Sequence, residues 1–237
     1  MPNATSSPAS LAKPGLPNIP GKEEGRHGVR QLGINRAVNR PLAGLLVRAL
    51  YATRVTPNQV TLAAFVIGLA GALFFLGGRP WAFAVGGVLV QLSSIVDCAD
   101  GMLARARGQT SEFGATLDLL LDRLNEFFLM IACALGYFYY SRKGWLLSLG
   151  LAGTALYFLE TTVFYLLNGA RGLARRGETS EERGWLMFGL FFFGLTGRID
   201  IAILVLPLFA AATVAFMVVD FCRRPEKTIG AARPPES

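Results

Sequence analysis

The stretch TPNQVTLAAFVIGLAGALFFLGG, residues 56–78, contains no charged side chain. About 20 apolar residues in helical form cross a hydrocarbon core, so an apolar run of this length reads as a transmembrane span. Thr56 suits an N-cap and Pro57 a first helical turn, which predicts a first span over about 58–77. A tight turn, Gly77 to Pro80, follows it, and Pro80 to Val96 is again free of charge. The 237 residues together are 52% hydrophobic and 16% charged, with a mean hydropathy of +0.43. Soluble domains carry about 25% charged residues. A bundle of membrane helices is therefore expected, in place of a soluble helical protein.

Working outward, a second span starts near Trp81 and runs into an acidic stretch. A third runs from near Phe113 to about Tyr140, with Tyr137, Tyr139 and Tyr140 as an interfacial belt. SRKG makes the next turn, and a fourth span covers about Trp145 to Leu167. NGARGLARRGETSEERG, 168–184, reads as a polar loop. Trp185 to Cys222 holds two short spans, interrupted at TGRID (Thr196 to Asp200) and at Pro207, with the turn at one or the other. Ahead of the first span, 29–54 alternates Leu32, Val38, Leu42, Leu45, Leu46 and Leu50 with Arg36, Arg40 and Arg48. That pattern predicts an amphipathic helix on an anionic membrane face, perturbed at Pro41. The expected fold is an all-α integral membrane protein: six transmembrane helices over 55–222, preceded by a juxtamembrane amphipathic helix. The flanks, 1–28 and 223–237, are expected to be disordered cytoplasmic tails. No apolar core follows a basic start, so a signal peptide is not expected.

Six spans put both termini on one side. Eight basic residues precede the first span. Arg105 and Arg107, then Arg171, Arg175, Arg176 and Arg183, then Arg223, Arg224, Lys227 and Arg233 share that side. Only Arg79, Arg142 and Lys143 oppose them. The positive-inside rule makes the first side cytoplasmic. This sorting accounts for the net charge of +7, and no aromatic-interleaved basic stripe suggests nucleic acid. Cys98, Cys133 and Cys222 lack zinc or redox spacing. His27, the sole histidine, takes no role, and Glu160 inside the fourth span reads as a structural contact to a neighbouring helix.

The acidic stretch is VDCADGMLARARGQTSEFGATLDLLLDRLNE, Val96 to Glu126, with six carboxylates in an otherwise apolar setting. At about 100° per residue, Asp97, Asp100 and Ala104 share one helical face. Asp118 and Asp122, four apart, share another with Gly114. Two helices can then aim four carboxylates at one another, with Gly101, Ala104 and Gly114 leaving room. Like-charge repulsion prevents all four from staying ionised unaided. Intramembrane acids are costly and usually functional. Oxygen-only ligands suit Mg²⁺, Mn²⁺ or Ca²⁺, and two such cations suit phosphoryl chemistry.

The spacing Asp97-x2-Asp100-Gly101-x2-Ala104-Arg105-x8-Gly114-x3-Asp118-x3-Asp122 resembles the full signature of the CDP-alcohol phosphatidyltransferase family. The resemblance covers the first four spans, weakens toward the C-terminus and leaves out both tails. It implies a six-helix membrane enzyme. Such an enzyme passes a phosphatidyl or phosphoalcohol group from a CDP-linked donor to an acceptor hydroxyl and releases CMP. It implies that Asp97, Asp100, Asp118 and Asp122 hold two Mg²⁺ or Mn²⁺ ions, and that Asp122 is the base. Gly101, Ala104 and Gly114 would line the nucleotide slot, and Arg105 would meet the phosphates. TPNQVT resembles the family's start of the first span, where Asn58 and Thr61 would approach the nucleotide.

NRPLAGLLVRALYATRVTPNQVTL and IVDCADGMLAR look most like the di-myo-inositol-phosphate-phosphate synthase branch, which uses inositol phosphate. That likeness implies a phosphorylated polyol acceptor (inositol phosphate or glycerol phosphate) clamped by Arg123, Arg171 and Arg198. Arginine suits bidentate phosphate contact. Each has a plainer reading: Arg123 paired with Asp122 or Glu126, Arg171 as a membrane anchor, Arg198 paired with Asp200. The implied donor is CDP-diacylglycerol or CDP-inositol, the implied assembly a homodimer, and the implied location a prokaryotic cell membrane with a cytoplasmic active site. A divalent-cation transporter and an inactive membrane scaffold are the alternatives from other classes.

Overall fold

The computed structural model describes Gly33, 35–170 and 176–223, and these residues are helical with short links. A π-helical turn, Asn35–Asn39, leads into α1, Arg40–Leu50. Six longer helices follow: α2 Pro57–Leu76, α3 Pro80–Arg107, α4 Glu112–Ser141, α5 Gly144–Ala170, α6 Arg176–Leu195 and α7 Ile199–Arg223. Among the described residues there is no strand. Four of these segments are long and apolar enough to cross a membrane: Pro57–Leu76, Pro80–Arg107, Gly144–Val163 and Ile199–Phe216. Gly184–Leu195 is a shorter apolar helix. The expected tails, save Arg223, lie outside the described residues, as does 171–175.

Local signals set the boundaries. Thr56 and Gln59 form a reciprocal capping box at the start of α2, with Pro57 in the first turn. Gly108, at φ 63°, ends α3 in the left-handed conformation that glycine tolerates. Ser111 caps α4 by accepting from the Gly114 N–H at 3.0 Å. Only Gly108–Ser111 separates α3 from α4, so the two acid-bearing helices form an antiparallel hairpin with their charged ends adjacent.

Two expectations are corrected, and a choice left open is decided. Pro41 does not perturb α1 but sits in its first turn, where a missing N–H costs nothing. The 168–184 stretch is not simply a loop, because α5 continues to Ala170 and α6 begins at Arg176. The turn between the last two helices lies at Thr196–Arg198, where Gly197 takes φ 68°. Pro207 lies inside α7, its ring seated against Gly153 of α5, where a side chain would leave no room.

The six long helices close a ring in the order α2, α4, α5, α7, α6, α3, each packed on the next. One core cluster fills the ring with Phe75, Phe83, Val90, Leu129, Tyr137, Leu146, Met187, Leu190, Ile199 and Ile203. A second, smaller cluster joins Ala43 and Val47 of α1 to Val60, Ala99 and Leu103. Leu62, Val66 and Leu73 of α2 and Leu204, Leu208 and Phe216 of α7 remain exposed. Exposed rows of this kind on long apolar helices suit contact with hydrocarbon.

The π-helical turn that leads into α1 is held to α3 by a buried amide network, where the sequence suggested only a membrane face. The Asn39 amide donates to Asn35 Oδ1 at 2.6 Å and to Ser94 Oγ at 3.0 Å, and Gln91 donates back to Asn39 Oδ1 at 2.7 Å. Asn39 is fully buried, so replacing it leaves several buried polar groups unpaired. Asn39→Ala is expected to lower stability by about 1–3 kcal/mol, read as a lower thermal midpoint and faster proteolysis within 51–55. An unchanged midpoint would mean that the network does not hold α1.

Candidate active site at the acidic ends of α3 and α4

Asp97 and Asp100 come from α3, and Asp118 from α4. One carboxylate oxygen from each lies within 4.8 Å of the other two. Asp100 is buried, and Asp97 and Asp118 are half-buried. Three carboxylates so close, with hard oxygen donors only, match the needs of a divalent cation such as Mg²⁺ or Mn²⁺. The fourth aspartate is not among these three oxygens. Asp122 lies one turn further along α4 and lines a narrow crevice with Asp97, Thr61, Ser93 and Asn125. The structure therefore gathers three carboxylates that can hold a cation, with the fourth aspartate in a crevice it shares with Asp97.

The start of α2 closes the cluster from the third side. The Thr61 hydroxyl donates to Asp100 Oδ2 at 2.5 Å, which orients that carboxylate. Thr61 thus supports a cluster residue, a role more specific than general approach to a nucleotide. Asn58 meets Gly114 so closely that a Cβ on Gly114 would lie 3.1 Å from Asn58 Oδ1. A side chain there would make the Asn58 and Ser111 tips give way by a few tenths of an ångström. The Arg105 guanidinium folds back over Gly101, its Nη1 3.2 Å from where a Cβ would stand. Ala104, half-buried one helical turn on from Gly101, keeps that face of α3 small.

Below the cluster lie polar residues that the sequence reading did not single out. Ser93 Oγ donates to the Ala64 carbonyl at 2.8 Å, and the Asn125 amide approaches Ser93 Oγ at 3.5 Å. Asn125 occupies the space that a side chain on Gly68 would need. This buried set ties α2, α3 and α4 together one turn beneath Asp122. Its signal in the sequence was an Asn three residues after Asp122, on the same helical face.

The three arginines part company. Arg123 Nη1 sits 2.8 Å from Glu126 Oε2, and Glu126 is fully buried. Arg123 also borders a cavity of about 250 Å³ between α4, α5, α6 and α7, which Glu160, Thr161 and Tyr157 line with it. Arg171 lies outside the described residues. Arg198 does not join the site. It is exposed and pairs with Asp200 at 3.1 Å in the α6–α7 turn. Its neighbour Ile199 packs in one core cluster with Tyr137 and Leu146. Tyr137 lies 19 residues beyond Asp118 on α4, or about 28 Å at 1.5 Å per residue. Arg198 is therefore at the opposite end of the bundle from the aspartates and cannot clamp a phosphate beside them. Arg198→Ala is expected to leave the acceptor KM within about twofold of wild type, since surface changes far from a site have small effects. A tenfold rise in that KM would overturn this placement.

Comparison with known proteins agrees with this geometry. The family model described as CDP-alcohol phosphatidyltransferase matches residues 54–221. The bifunctional IPC transferase and DIPP synthase of Thermococcus kodakarensis is 43% identical over 90 residues, 38% of this chain and 19% of that protein. The chain thus spans about a fifth of the length of such bifunctional relatives. The phosphatidylinositol phosphate synthase of Mycobacteroides abscessus is 30% identical over 189 residues, 75% of this chain and 80% of that protein. The crystal structure of Mycobacterium tuberculosis phosphatidylinositol phosphate synthase with CDP-DAG bound has the same fold, with a TM-score of 0.63 at 21% identity. It covers 81% of this chain and 99% of that one. A match across the span that carries the acidic hairpin, joined to a clustered aspartate trio, places this chain in the CDP-alcohol phosphatidyltransferase family.

Proposed function

We propose that this chain is a membrane-embedded transferase that moves a phosphatidyl or phosphoalcohol group from a CDP-linked donor to an acceptor hydroxyl and releases CMP. The observation that carries the reading is the gathering of Asp97, Asp100 and Asp118 within 4.8 Å, with Asp122 beside them. Bound at those three carboxylates, Mg²⁺ or Mn²⁺ supplies charge neutralisation at a diphosphate. The neighbour solved with manganese and citrate supports a divalent cation. Asp122 takes the proton of the acceptor hydroxyl while that oxygen attacks the donor phosphorus carrying the alcohol. The bond from that phosphorus to the CMP phosphate breaks, and CMP leaves with the electron pair. A positioned carboxylate serves well as such a base. Asn58, Thr61, Gly101, Ala104 and Gly114 form the cytidine and diphosphate side of the site, and Arg105 meets the phosphates.

The acceptor we favour is a phosphorylated polyol. Relatives named as phosphatidylinositol phosphate synthase and archaetidylinositol phosphate synthase support it, and Arg123 stands near Asp122 to receive its phosphate. We also read α2–α7 as six spans, in which α4 crosses despite its charges, with α1 at the interface and the active end cytoplasmic. The basic residues that flank this end support that orientation. A homodimer is proposed from the family alone.

The test is CMP release by the purified protein with Mg²⁺ or Mn²⁺. CDP-diacylglycerol or CDP-inositol is offered against inositol phosphate, glycerol phosphate, inositol and serine. CMP that depends on one acceptor supports the reading and names the pair. Transport of a divalent cation without any CMP would favour the transporter instead.

A further inference from the structure

Arg107 is the last residue of α3 and lies outside the motif that defines the acidic cluster. Its guanidinium grips four backbone carbonyls. Nη1 donates to Val55 O at 2.5 Å, and Nη2 reaches Leu50 O at 2.5 Å, Thr53 O at 2.9 Å and Tyr51 O at 3.0 Å. Leu50 is the last residue of α1, and 51–55 is the link to α2. Carbonyls at a helix C-terminus have no partner within the helix and carry partial negative charge, so a cation there is favoured. Few residues other than arginine could meet this set, because its planar fork offers several N–H donors at fixed angles.

The consequence reaches the site. Arg107 follows Asp100 by seven residues, about 700°, so both lie on one face of α3, roughly 10 Å apart along its axis. Asp100 accepts from Thr61 of α2, and Arg107 holds the chain that feeds α2. The start of α2 is thus fastened to α3 at two points, and between them Asn58 meets Gly114 of α4. Both terminal nitrogens of Arg107 are engaged with carbonyls, so it is not placed to meet a substrate phosphate.

We propose that Arg107 is a positioning residue for the CDP donor: by fixing the 51–55 link to the end of α3, it sets Asn58 and Thr61 in place over the aspartate cluster. The inference rests on the function proposed above, and its test can be read without turnover. Arg107→Ala and Arg107→Lys would be compared with wild type for CMP release and for hydrogen exchange of 51–61. A small misplacement of binding groups can cost about 10- to 100-fold. The alanine variant is expected to raise the donor KM by that order and to leave the acceptor KM within about twofold. Amide exchange should rise in 51–61 and not in α5 or α7. Added guanidinium should restore the donor KM of the alanine variant, and lysine should recover part of the loss. Equal shifts in donor and acceptor KM, unchanged exchange in 51–61, or exchange raised throughout the chain with no rescue would each overturn the proposal. If wild type itself makes no CMP, the proposed function fails first. The exchange comparison then decides Arg107 alone: a rise confined to 51–61 supports the positioning role, and no rise removes it.

Discussion

Asp122→Asn is expected to lower CMP release about 10³-fold, within the usual range for removing a general base, while donor and metal still bind. The amide has nearly the shape of the carboxylate, so the crevice with Asp97, Thr61, Ser93 and Asn125 keeps its packing. What it loses is the ability to take a proton. Asp122 also stands outside the trio of oxygens within 4.8 Å, so its loss should spare the cation affinity that those three provide. Steady-state CMP release gives the first half of the test. Calorimetric binding of CDP in the presence of Mn²⁺ gives the second. A variant that keeps turnover within tenfold of wild type is not missing its base, and the role would pass to another group. A variant that loses both turnover and Mn²⁺-dependent CDP binding would show Asp122 acting with the metal trio.

The acidic hairpin was legible because its chemistry follows helical periodicity. Asp97 with Asp100, and Gly114 with Asp118, repeat at three or four residues, and that spacing alone puts them on shared faces. Gly108 and Ser111 are local stop and start signals, and they turn the two faces toward one another. The long apolar helices were legible for the same reason, since hydropathy is a property of one segment at a time. The choice between Thr196–Arg198 and Pro207 for the last turn was not local. Pro207 can stay in α7 because Gly153, on another helix, leaves room for its ring, and no window of sequence contains that pair.

The misreading of Arg198 has a different origin. Likeness to a branch of the family drew it to the acceptor, yet the count of spans already put the turn between the last two helices on the far side. Topology is the stronger constraint, because a helix of this length carries its two ends about 30 Å apart. Arg107 was read only as one of the cytoplasmic charges, and Asn39 went unremarked, for the opposite reason. The carbonyls that Arg107 meets, and the Gln91 and Ser94 that Asn39 meets on α3, are 52 or more residues away, and a basic or amide side chain at a helix end looks like an ordinary solvated one until the fold is known.

Gly136→Ala is expected to be the most damaging single methyl in the bundle. A Cβ at this position of α4 would overlap the Phe75 carbonyl oxygen of α2, and the next nearest atoms are also α2 backbone. A flexible side chain can swing aside, but two helix backbones cannot yield locally without parting along their length. Gly78, at φ 58°, packs against the Gly136 carbonyl from the turn that follows α2, so that turn would have to move as well. Overpacking usually costs about 1–3 kcal/mol, and a backbone-on-backbone overlap belongs at or beyond the upper end. For a chain of this size about 3 kcal/mol corresponds to a fall of about 6–12 °C in Tm. Gly144→Ala is the matched control: it adds the same methyl at the start of α5, where a Cβ meets nothing within 4 Å. Thermal unfolding of both variants in one detergent makes the comparison, with Gly144→Ala expected to match wild type. Equal midpoints for the two would mean that α2 and α4 do not approach at Gly136. The crossing that brings Thr61 and Asn58 to the aspartates would then rest on the contacts nearer the site, Asn125 against Gly68 and Ser93 on the Ala64 carbonyl.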